Sequence, residues 1–234
     1  MKSPGFDLEE YIRLVESFHG YIAPGLIAGG FMVNLAKRSL SEGTLFNALC
    51  ETTACLPDAI QLLTPCTTGN GRLKILNFGR FAISLFDKDK GNGYRVYLDC
   101  GKLDEWPEIK TWFFKLKVKT EQDKELLLAQ IKEAGDRLCR IEPVLVRSEF
   151  LGKKKRGEII TCSCCQEAYP AKDGEVCRAC QGGSPYMVPE TSEKPVPAVS
   201  TLKSHGVFLS QPYVKKHCNS CTKYPCRSRE GGIE

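Results

Sequence analysis

The 234-residue sequence lacks both a long hydrophobic run and an export signal at its amino terminus. The opening segment, MKSPGFDLEE, has no basic stretch followed by an apolar one, which a secretory signal requires. The longest stretch without charge, residues 19–36, contains a proline, an asparagine and four glycines, and falls short of the ~20 apolar residues of a membrane span. We therefore expect a cytoplasmic protein with no membrane partner.

Cysteine, in contrast, is abundant and unevenly distributed. Of the 13 cysteines, five are scattered over residues 1–140 and eight lie in two clusters within residues 141–234. A chain without an export signal meets a reducing compartment, where clustered cysteines bind metals more often than they form disulfides. The odd total also fits complete disulfide pairing poorly.

The formal charge of +5 is concentrated beside the cysteine clusters. Residues 1–140 carry 19 basic and 18 acidic side chains, a net of +1, and residues 141–234 carry 14 and 10, a net of +4. One zinc ion with four thiolates contributes −2, which lowers +5 to +3. A nucleic-acid partner is favoured by the basic run at residues 153–156. The cysteine clusters argue against it, because they offer few aromatic side chains for base stacking.

Residues 1–150 have the pattern of an α+β core domain. Apolar residues at helical spacing predict helices that begin after the capping residue Asp7, at Pro24, at Leu56 and at Glu121, the last reaching Arg140. Short apolar runs predict strands at residues 45–51, 73–78, 81–86, 94–98 and 144–146. Because the links between neighbouring runs are of hairpin length, we expect an antiparallel meander packed with helices.

The predicted helix from Pro24 is unusually rich in glycine. Gly25, Gly29 and Gly30 each cost a helix about 1 kcal/mol relative to alanine. We therefore expect a packing or ligand-related reason for them.

Beyond the core, the sequence divides into three short segments. Residues 151–181 form a small zinc-binding module, residues 182–204 a proline-rich linker and residues 205–234 a Cys/His tail.

The zinc-binding module contains two C-x-x-C units separated by 11 residues, namely Cys162–Cys165 and Cys177–Cys180. Each unit places two thiolates on one side of a turn, and two such turns supply the four tetrahedral sulfurs of a structural zinc site. The segment between them is too short and polar to form a core alone, so metal binding must supply much of its folding free energy. Cys164 is left unused. With four protein ligands the site is closed, which argues against a catalytic role for this zinc.

The tail offers a second candidate metal site. Its ligands are His217, Cys218, Cys221 and Cys226. Three thiolates and an imidazole suit a second zinc ion or part of an iron–sulfur cluster, and spacing does not separate the two. The alternative is a flexible basic tail with incidental cysteines.

Two core segments resemble the FmdE family, which is named after formylmethanofuran dehydrogenase. They are FHGYIAPGL at residues 18–26 and ETTACLPDAIQLLTPCTTGNGRL at residues 51–73. The first is similar to the family's His-Gly-His-x-Cys-Pro-Gly-Leu motif. The second is similar to its Asp-Ala-Cys-x-x-Asp-Ala-Ile-Gln motif, with the Gly-Cys-Thr and Gly-x-Gly-x-Leu that follow. The resemblance covers residues 7–100 and extends to the zinc module, since many family members carry a treble-clef-like finger there.

The resemblance implies a function and a candidate core site. It implies a metal-binding accessory protein of molybdenum or tungsten enzymes in one-carbon metabolism, related to methanogenesis, with no oxidation of formylmethanofuran by the chain alone. It also implies a homodimer, which the exposed edge of a short meander independently favours. Of the family's candidate core ligands, His19, Cys55 and Cys66 remain, whereas Tyr21, Ala23 and Thr53 replace a histidine, a cysteine and an acid.

Other functions stay open on the sequence alone. Three soft ligands can hold a metal with an open position, which predicts a metal-dependent small-molecule enzyme or sensor at His19 and Cys55. The plain alternative is that the core cysteines are ordinary buried residues and His19 a helix-end histidine. A third hypothesis is an interaction adaptor, whose cysteine modules only hold a surface for a partner subunit.

Overall fold

The computed structural model describes residues 7–152 and 157–187. The chain divides into two compact units, residues 1–153 and 154–234. The linker and the tail predicted at residues 182–204 and 205–234 lie outside the described residues from 188 onward, so those boundaries stay predictions. Among the described residues, no helix is long and apolar enough to cross a membrane.

Among the described residues, the first unit contains five α-helices and five strands, and the second contains a two-stranded hairpin. The helices are α1 (Leu8–His19), α2 (Pro24–Ser39), α3 (Leu56–Leu63), α4 (Pro107–Phe113) and α5 (Lys124–Ala134). The strands are β1 (Phe46–Cys50), β2 (Leu73–Ile75), β3 (Ala82–Asp87), β4 (Asn92–Leu98), β5 (Cys139–Leu145), β6 (Ile159–Thr161) and β7 (Ala168–Pro170).

Local sequence signals position the first helices as predicted. The Asp7 carboxylate accepts a hydrogen bond from the backbone N–H of Glu10 at 3.0 Å, which caps α1. The helix ends where Gly20 adopts a φ of +83°, a conformation that glycine reaches without strain. α2 begins at Pro24, whose missing N–H is not needed in a first turn.

The large sheet has the order β2-β1-β3-β4-β5. The predicted α+β class is confirmed, and so is the antiparallel pairing of β3 with β4. The predicted pairing of β2 with β3 is wrong, because β2 pairs with β1 in parallel, with Ala48 opposite Leu73. A parallel pair needs a crossover of a dozen or more residues, and the segment that contains α3 supplies it.

The predicted helix over residues 121–140 is wrong at both ends, since α5 begins at Lys124, after the capping residue Asp123, and ends at Ala134. Gly135 adopts a φ of +57° and a ψ of −131°, which ends α5. The chain then enters β5 at Cys139, and this strand replaces the shorter one predicted at residues 144–146. β5 pairs with β4 over its whole length, so the pairing across the sheet decides the conformation of this segment.

The glycines of α2 allow close packing of its neighbours. A Cβ at Gly29 would lie 2.8 Å from Cβ of Ala59 on α3, and one at Gly30 would lie 2.3 Å from Cε1 of Tyr11 on α1. Both distances are shorter than carbon atoms tolerate, so these two glycines let α1 and α3 approach α2. Tyr11 is fully buried and donates a hydrogen bond from its hydroxyl to the carbonyl of Leu26 at 2.8 Å.

Gly30→Ala is expected to lower the free energy of unfolding by about 1–2 kcal/mol. The added methyl group displaces a ring that is fixed at both ends, which costs ~2–3 kcal/mol, and the higher helix propensity of alanine recovers ~1 kcal/mol of this cost. Urea denaturation measures the change. Gly69→Ala is the matched control, since the nearest atom to its Cβ would be Oγ1 of Thr67 at 4.0 Å. Equal stabilities for the two variants would contradict the packing role of Gly30.

A charged network lies on one face of the large sheet. Arg95 donates from Nε and Nη2 to the two carboxylate oxygens of Glu51, at 2.6 and 3.0 Å, and from Nη1 to Glu142 at 2.9 Å. Arg80 adds a second ion pair to Glu51 at 2.7 Å. Glu51 is only 7% exposed, so its charge depends on these two guanidinium groups. The network links the end of β1 to β4 and β5.

The second unit is a small hairpin followed by a helical turn. β6 pairs with β7 antiparallel, with Ile160 opposite Tyr169. Cys162 and Tyr169 are the buried members of this unit's core among its described residues. So little buried apolar surface leaves a fold of this size dependent on another source of stability.

Candidate metal centre and core site

The first two cysteines of the metal centre lie in the turn between β6 and β7. Cys162 follows β6 directly, and its backbone N–H donates to the carbonyl of Glu167 at 2.9 Å. Its own carbonyl accepts from the N–H of Gln166 at 2.9 Å, where Gln166 has a φ of +64°. This closed turn points the thiols of Cys162 and Cys165 to the same side.

The other two cysteines lie at the start of the helical turn of residues 179–183. The N–H of Gln181 donates to the carbonyl of Cys177 at 3.0 Å, which wraps the backbone around this pair. The Gln181 side chain donates to the carbonyls of Asp173 and Val176, both at 2.6 Å. These bonds connect the loop before Cys177 to the turn that carries Cys180.

The four thiols converge on one point. The Sγ atoms of Cys162, Cys165, Cys177 and Cys180 all lie within 4.8 Å of one another. The Sγ atoms of Cys165 and Cys177 are 3.6 Å apart, too far for a disulfide and close to the ~3.8 Å edge of a ZnS₄ tetrahedron with ~2.3 Å bonds. The donor set therefore fits zinc. Cys164 lies outside this group, as predicted.

Backbone N–H groups support the sulfur of Cys162. Burial raises the pKa of its thiol, but the N–H groups of Cys165, Cys177 and Cys164 lower it more, to about 6. The N–H of Cys177 lies 3.4 Å from this sulfur. Stabilised thiolate character is what a zinc ligand requires, since the metal binds the deprotonated form.

A second group of polar side chains lies in the core unit, where α1 ends. Nδ1 of His19 is 3.2 Å from Oδ2 of Asp58, and the two side chains are 25% and 31% exposed. The ring of Tyr21 lies 4.8 Å from that of His19. Histidine and carboxylate therefore meet at a partly exposed position.

Cys55 lies beside this pair with an unusual backbone conformation. It precedes α3 with a φ of +54° and a ψ of −50°, which a residue with a side chain rarely adopts. A Cβ at Gly25 would lie 2.7 Å from its Sγ, so this glycine makes room for the sulfur. Burial and the charge of Asp58 raise the pKa of the Cys55 thiol. Backbone strain of this kind concentrates at functional sites.

Cys66 lies apart from this position. It is fully buried, and its thiol donates to the carbonyl of Phe46 at 3.5 Å. Cys50 is likewise buried and donates to the carbonyl of Thr52 at 3.1 Å. Among the described residues, the four cysteines of the zinc module are the one group arranged as metal ligands, and His19, Cys55 and Cys66 do not form another. A core metal site at these residues stays a prediction.

The predicted tail site falls beyond the described residues. His217, Cys218, Cys221 and Cys226 all lie there, so the second metal site stays a prediction.

The group of side chains around His19 and Cys55, which we call the core position, has two members that were not among the predicted site residues. They are Asp58 and Trp112. A Cβ at Gly25 would lie 3.5 Å from Cζ2 of Trp112, which places this indole next to Cys55. The sequence did contain a signal for the carboxylate. Asp58 lies three residues after Cys55 at the start of a helix, and side chains at this spacing are neighbours.

Fold and site together define an α+β domain followed by a four-cysteine zinc module. Residues 18–146 match the family model described as FmdE, molybdenum formylmethanofuran dehydrogenase operon, and residues 153–187 match the FmdE treble clef zinc finger. The first match alone covers more than half of the chain. The chain therefore belongs to the FmdE family, as the core motifs predicted.

Two known proteins are similar to the chain. The crystal structure of a tungsten formylmethanofuran dehydrogenase FmdE-like protein from Syntrophus aciditrophicus superposes with a TM-score of 0.72 at 50% identity, over 80% of this chain and 100% of that one. A probable S-adenosyl-L-methionine-binding protein of Archaeoglobus fulgidus is 28% identical over 80% of this chain. The chain spans only 56% of that relative's length.

Proposed function

We propose that the chain is a cytoplasmic, metal-binding accessory protein of the molybdenum or tungsten enzymes of one-carbon metabolism. Support comes from the family description, which refers to the molybdenum formylmethanofuran dehydrogenase operon, and from the tungsten enzyme named for the S. aciditrophicus relative. In this role the chain does not itself oxidise formylmethanofuran. It supports the enzyme that does.

The observation that carries this proposal is the closed four-sulfur centre on a chain of this family. Cys162, Cys165, Cys177 and Cys180 would hold one zinc ion. Four protein ligands leave no position for substrate or activated water, so the metal orders the module rather than performing chemistry. A module ordered in this way presents a fixed surface, as an accessory protein requires.

The test is an assay of the purified chain, alone and together with a purified formylmethanofuran dehydrogenase. We expect no turnover by the chain alone, and co-elution with the dehydrogenase on gel filtration. Turnover by the chain alone would overturn the accessory role. Absence of any complex would exclude this enzyme as its partner.

A second candidate is a small-molecule enzyme or sensor at the core position. The strained backbone of Cys55 beside the His19–Asp58 pair favours it. It predicts a bound metal that survives removal of the zinc module, so a chain truncated after Lys153 is compared with the full chain by elemental analysis. If the truncated chain contains metal and its Cys55→Ala variant does not, the result supports this candidate. A truncated chain without metal excludes a metal-dependent enzyme or sensor at this position.

Elemental analysis also tests the second site in the tail. One zinc per full chain fits the four-cysteine centre alone. If the zinc content is two ions per chain and falls to one when Cys218 and Cys221 are replaced by serine, the second ion is bound in the tail. Iron and sulfide in equal amounts indicate an iron–sulfur cluster and electron transfer.

We also propose that the chain forms a homodimer. Among the described residues, β2 and β5 are the edge strands of the sheet, where a second copy can add a strand. Light scattering is expected to give about twice the chain mass of 26.0 kDa, and a monomer at micromolar concentration contradicts it.

The S-adenosylmethionine binding named for the A. fulgidus relative is not carried over to this chain. The match leaves a large part of that relative uncovered, and the name describes the whole protein.

A further inference from the structure

The segment of residues 114–119 alternates exposed apolar and basic side chains. Phe114, Leu116 and Val118 are 45%, 62% and 61% exposed, so three large apolar side chains are exposed within five residues. Lys115, Lys117 and Lys119 each follow one of them and are also exposed. We call these six residues the basic–apolar strip.

None of the three lysines of the strip forms a direct ion pair within the described chain. No carboxylate lies within 4.0 Å of these three ammonium groups among the described residues. Lys119 instead lies 5.9 Å from the ring of Tyr21. The strip contains no acidic residue and therefore carries +3. Lysines without a direct ion pair, placed around exposed apolar groups, are available to an acidic partner.

The backbone of the strip is fixed in place. The N–H of Lys115 donates to the carbonyl of Trp112 at 3.2 Å and that of Leu116 to the carbonyl of Thr111 at 3.0 Å, which closes the end of α4. At the other end, the Gln122 side chain donates to the carbonyl of Lys117 at 3.0 Å. A surface ordered in advance loses less entropy on binding than a mobile loop.

The strip borders the core position. Lys119 faces Tyr21, which in turn contacts His19. At the other end, the ring of Phe114 lies 5.5 Å from that of Phe113, the neighbour of the Trp112 indole beside Cys55. A partner on the strip would therefore lie next to the His19–Asp58 pair.

We infer that the basic–apolar strip docks a partner protein whose surface presents carboxylates around an apolar centre. This inference rests on the proposed accessory function, which requires such a partner. A second copy of the chain is disfavoured at this surface, since a twofold axis would oppose three lysines with three lysines.

The first experiment measures binding of a purified formylmethanofuran dehydrogenase to the full chain by biolayer interferometry at several salt concentrations. The test variant is Lys115→Gln/Lys117→Gln/Lys119→Gln. The control is Lys90→Gln/Lys124→Gln/Lys172→Gln, with the same charge change at exposed positions. We expect about tenfold weaker binding and a shallower salt dependence for the test variant, as loss of several interfacial charges produces. Equal binding by both variants overturns the strip as the docking surface and leaves the accessory function standing.

A second experiment separates this inference from the choice of enzyme. Fluorescence anisotropy measures binding of a labelled dodecapeptide of alternating glutamate and leucine, with an alternating glutamate and serine peptide as its control. If the dehydrogenase does not bind, its assignment as partner fails, and binding of the peptides then decides whether the strip is a docking surface. Preference for the Glu–Leu peptide that is lost in the test variant supports the inference, and equal binding of both peptides overturns it. Strip-dependent binding to phosphatidylglycerol vesicles without peptide binding would replace the protein partner with a membrane.

Discussion

Cys177→Ser is expected to remove one zinc ion per chain and to unfold residues 157–187, while the core unit stays folded. The small unit buries few apolar residues, and structural zinc supplies about 10–16 kcal/mol of apparent binding free energy in modules of this size. Without the fourth sulfur, the remaining three do not offset the chain entropy. Zinc content, together with limited proteolysis of the module, measures the effect.

Cys164→Ser is the matched control for this prediction. It replaces a cysteine of the same turn that lies outside the four-sulfur group. We expect it to retain zinc and protease resistance. A zinc-loaded, protease-resistant Cys177→Ser protein, or loss of zinc from Cys164→Ser, would show that the ligand set is wrong.

The second large effect concerns the charged network of the sheet. Arg95→Met is expected to lower the free energy of unfolding at pH 7 by about 2–3 kcal/mol, because it leaves the carboxylate of Glu51 buried with only Arg80 as partner. The value lies below the ~3–5 kcal/mol that breaking a fully buried ion pair costs, since Arg80 keeps its contact and the Glu142 side chain is 44% exposed. Arg140→Met, at an exposed position of β5, is the control. Urea denaturation at pH 7 measures both.

The effect of Arg95→Met is expected to depend on pH in a defined direction. Burial alone would raise the pKa of Glu51, but hydrogen bonds and charge from Arg95 and Arg80 lower it below its usual value. A lowered folded-state pKa stabilises the fold above the unfolded pKa of ~4.3, and this contribution is lost as the pH falls through the folded value. The difference between wild type and Arg95→Met should therefore shrink below about pH 4. A difference that grows on acidification would contradict the network's role.

Local signals in the sequence predicted the parts of the fold that depend on neighbouring residues. The cap at Asp7, the start of α2 at Pro24 and the ligand turns at Cys162–Cys165 and Cys177–Cys180 each arise within a few residues. Their geometry is set by turn and helix-end chemistry, which the sequence displays directly.

The sheet order was less accessible from the sequence. β2 pairs with β1 across α3, and the N–H of Leu76 donates to the carbonyl of Cys50 while that of Phe78 donates to the carbonyl of Glu51. The link from β2 to β3 is therefore bonded along β1 instead of forming a hairpin. The packing of α3 decides whether β2 pairs with β1 or with β3, and the spacing of apolar residues in the sequence does not predict that packing.

The core position was predicted in part, because some of its residues follow from a local motif and others from the packing of helices. The motif resemblance selected His19 and Cys55 as candidates, yet the carboxylate of Asp58 beside His19 depends on how α1 approaches α3. Gly29 and Gly30 permit that approach by leaving room for Ala59 and Tyr11. The sequence indicated that these glycines had a reason, and only the packed structure identified it as close helix contact.

Zinc K-edge X-ray absorption spectroscopy tests the convergence of four sulfurs on one zinc ion most directly. The sample is the full chain with Cys218, Cys221 and Cys226 replaced by serine, so that a signal from the tail does not interfere. We predict one zinc per chain with four sulfur scatterers at ~2.3 Å. Nitrogen or oxygen scatterers in place of any of these sulfurs, or a chain without zinc, would contradict the four-cysteine centre.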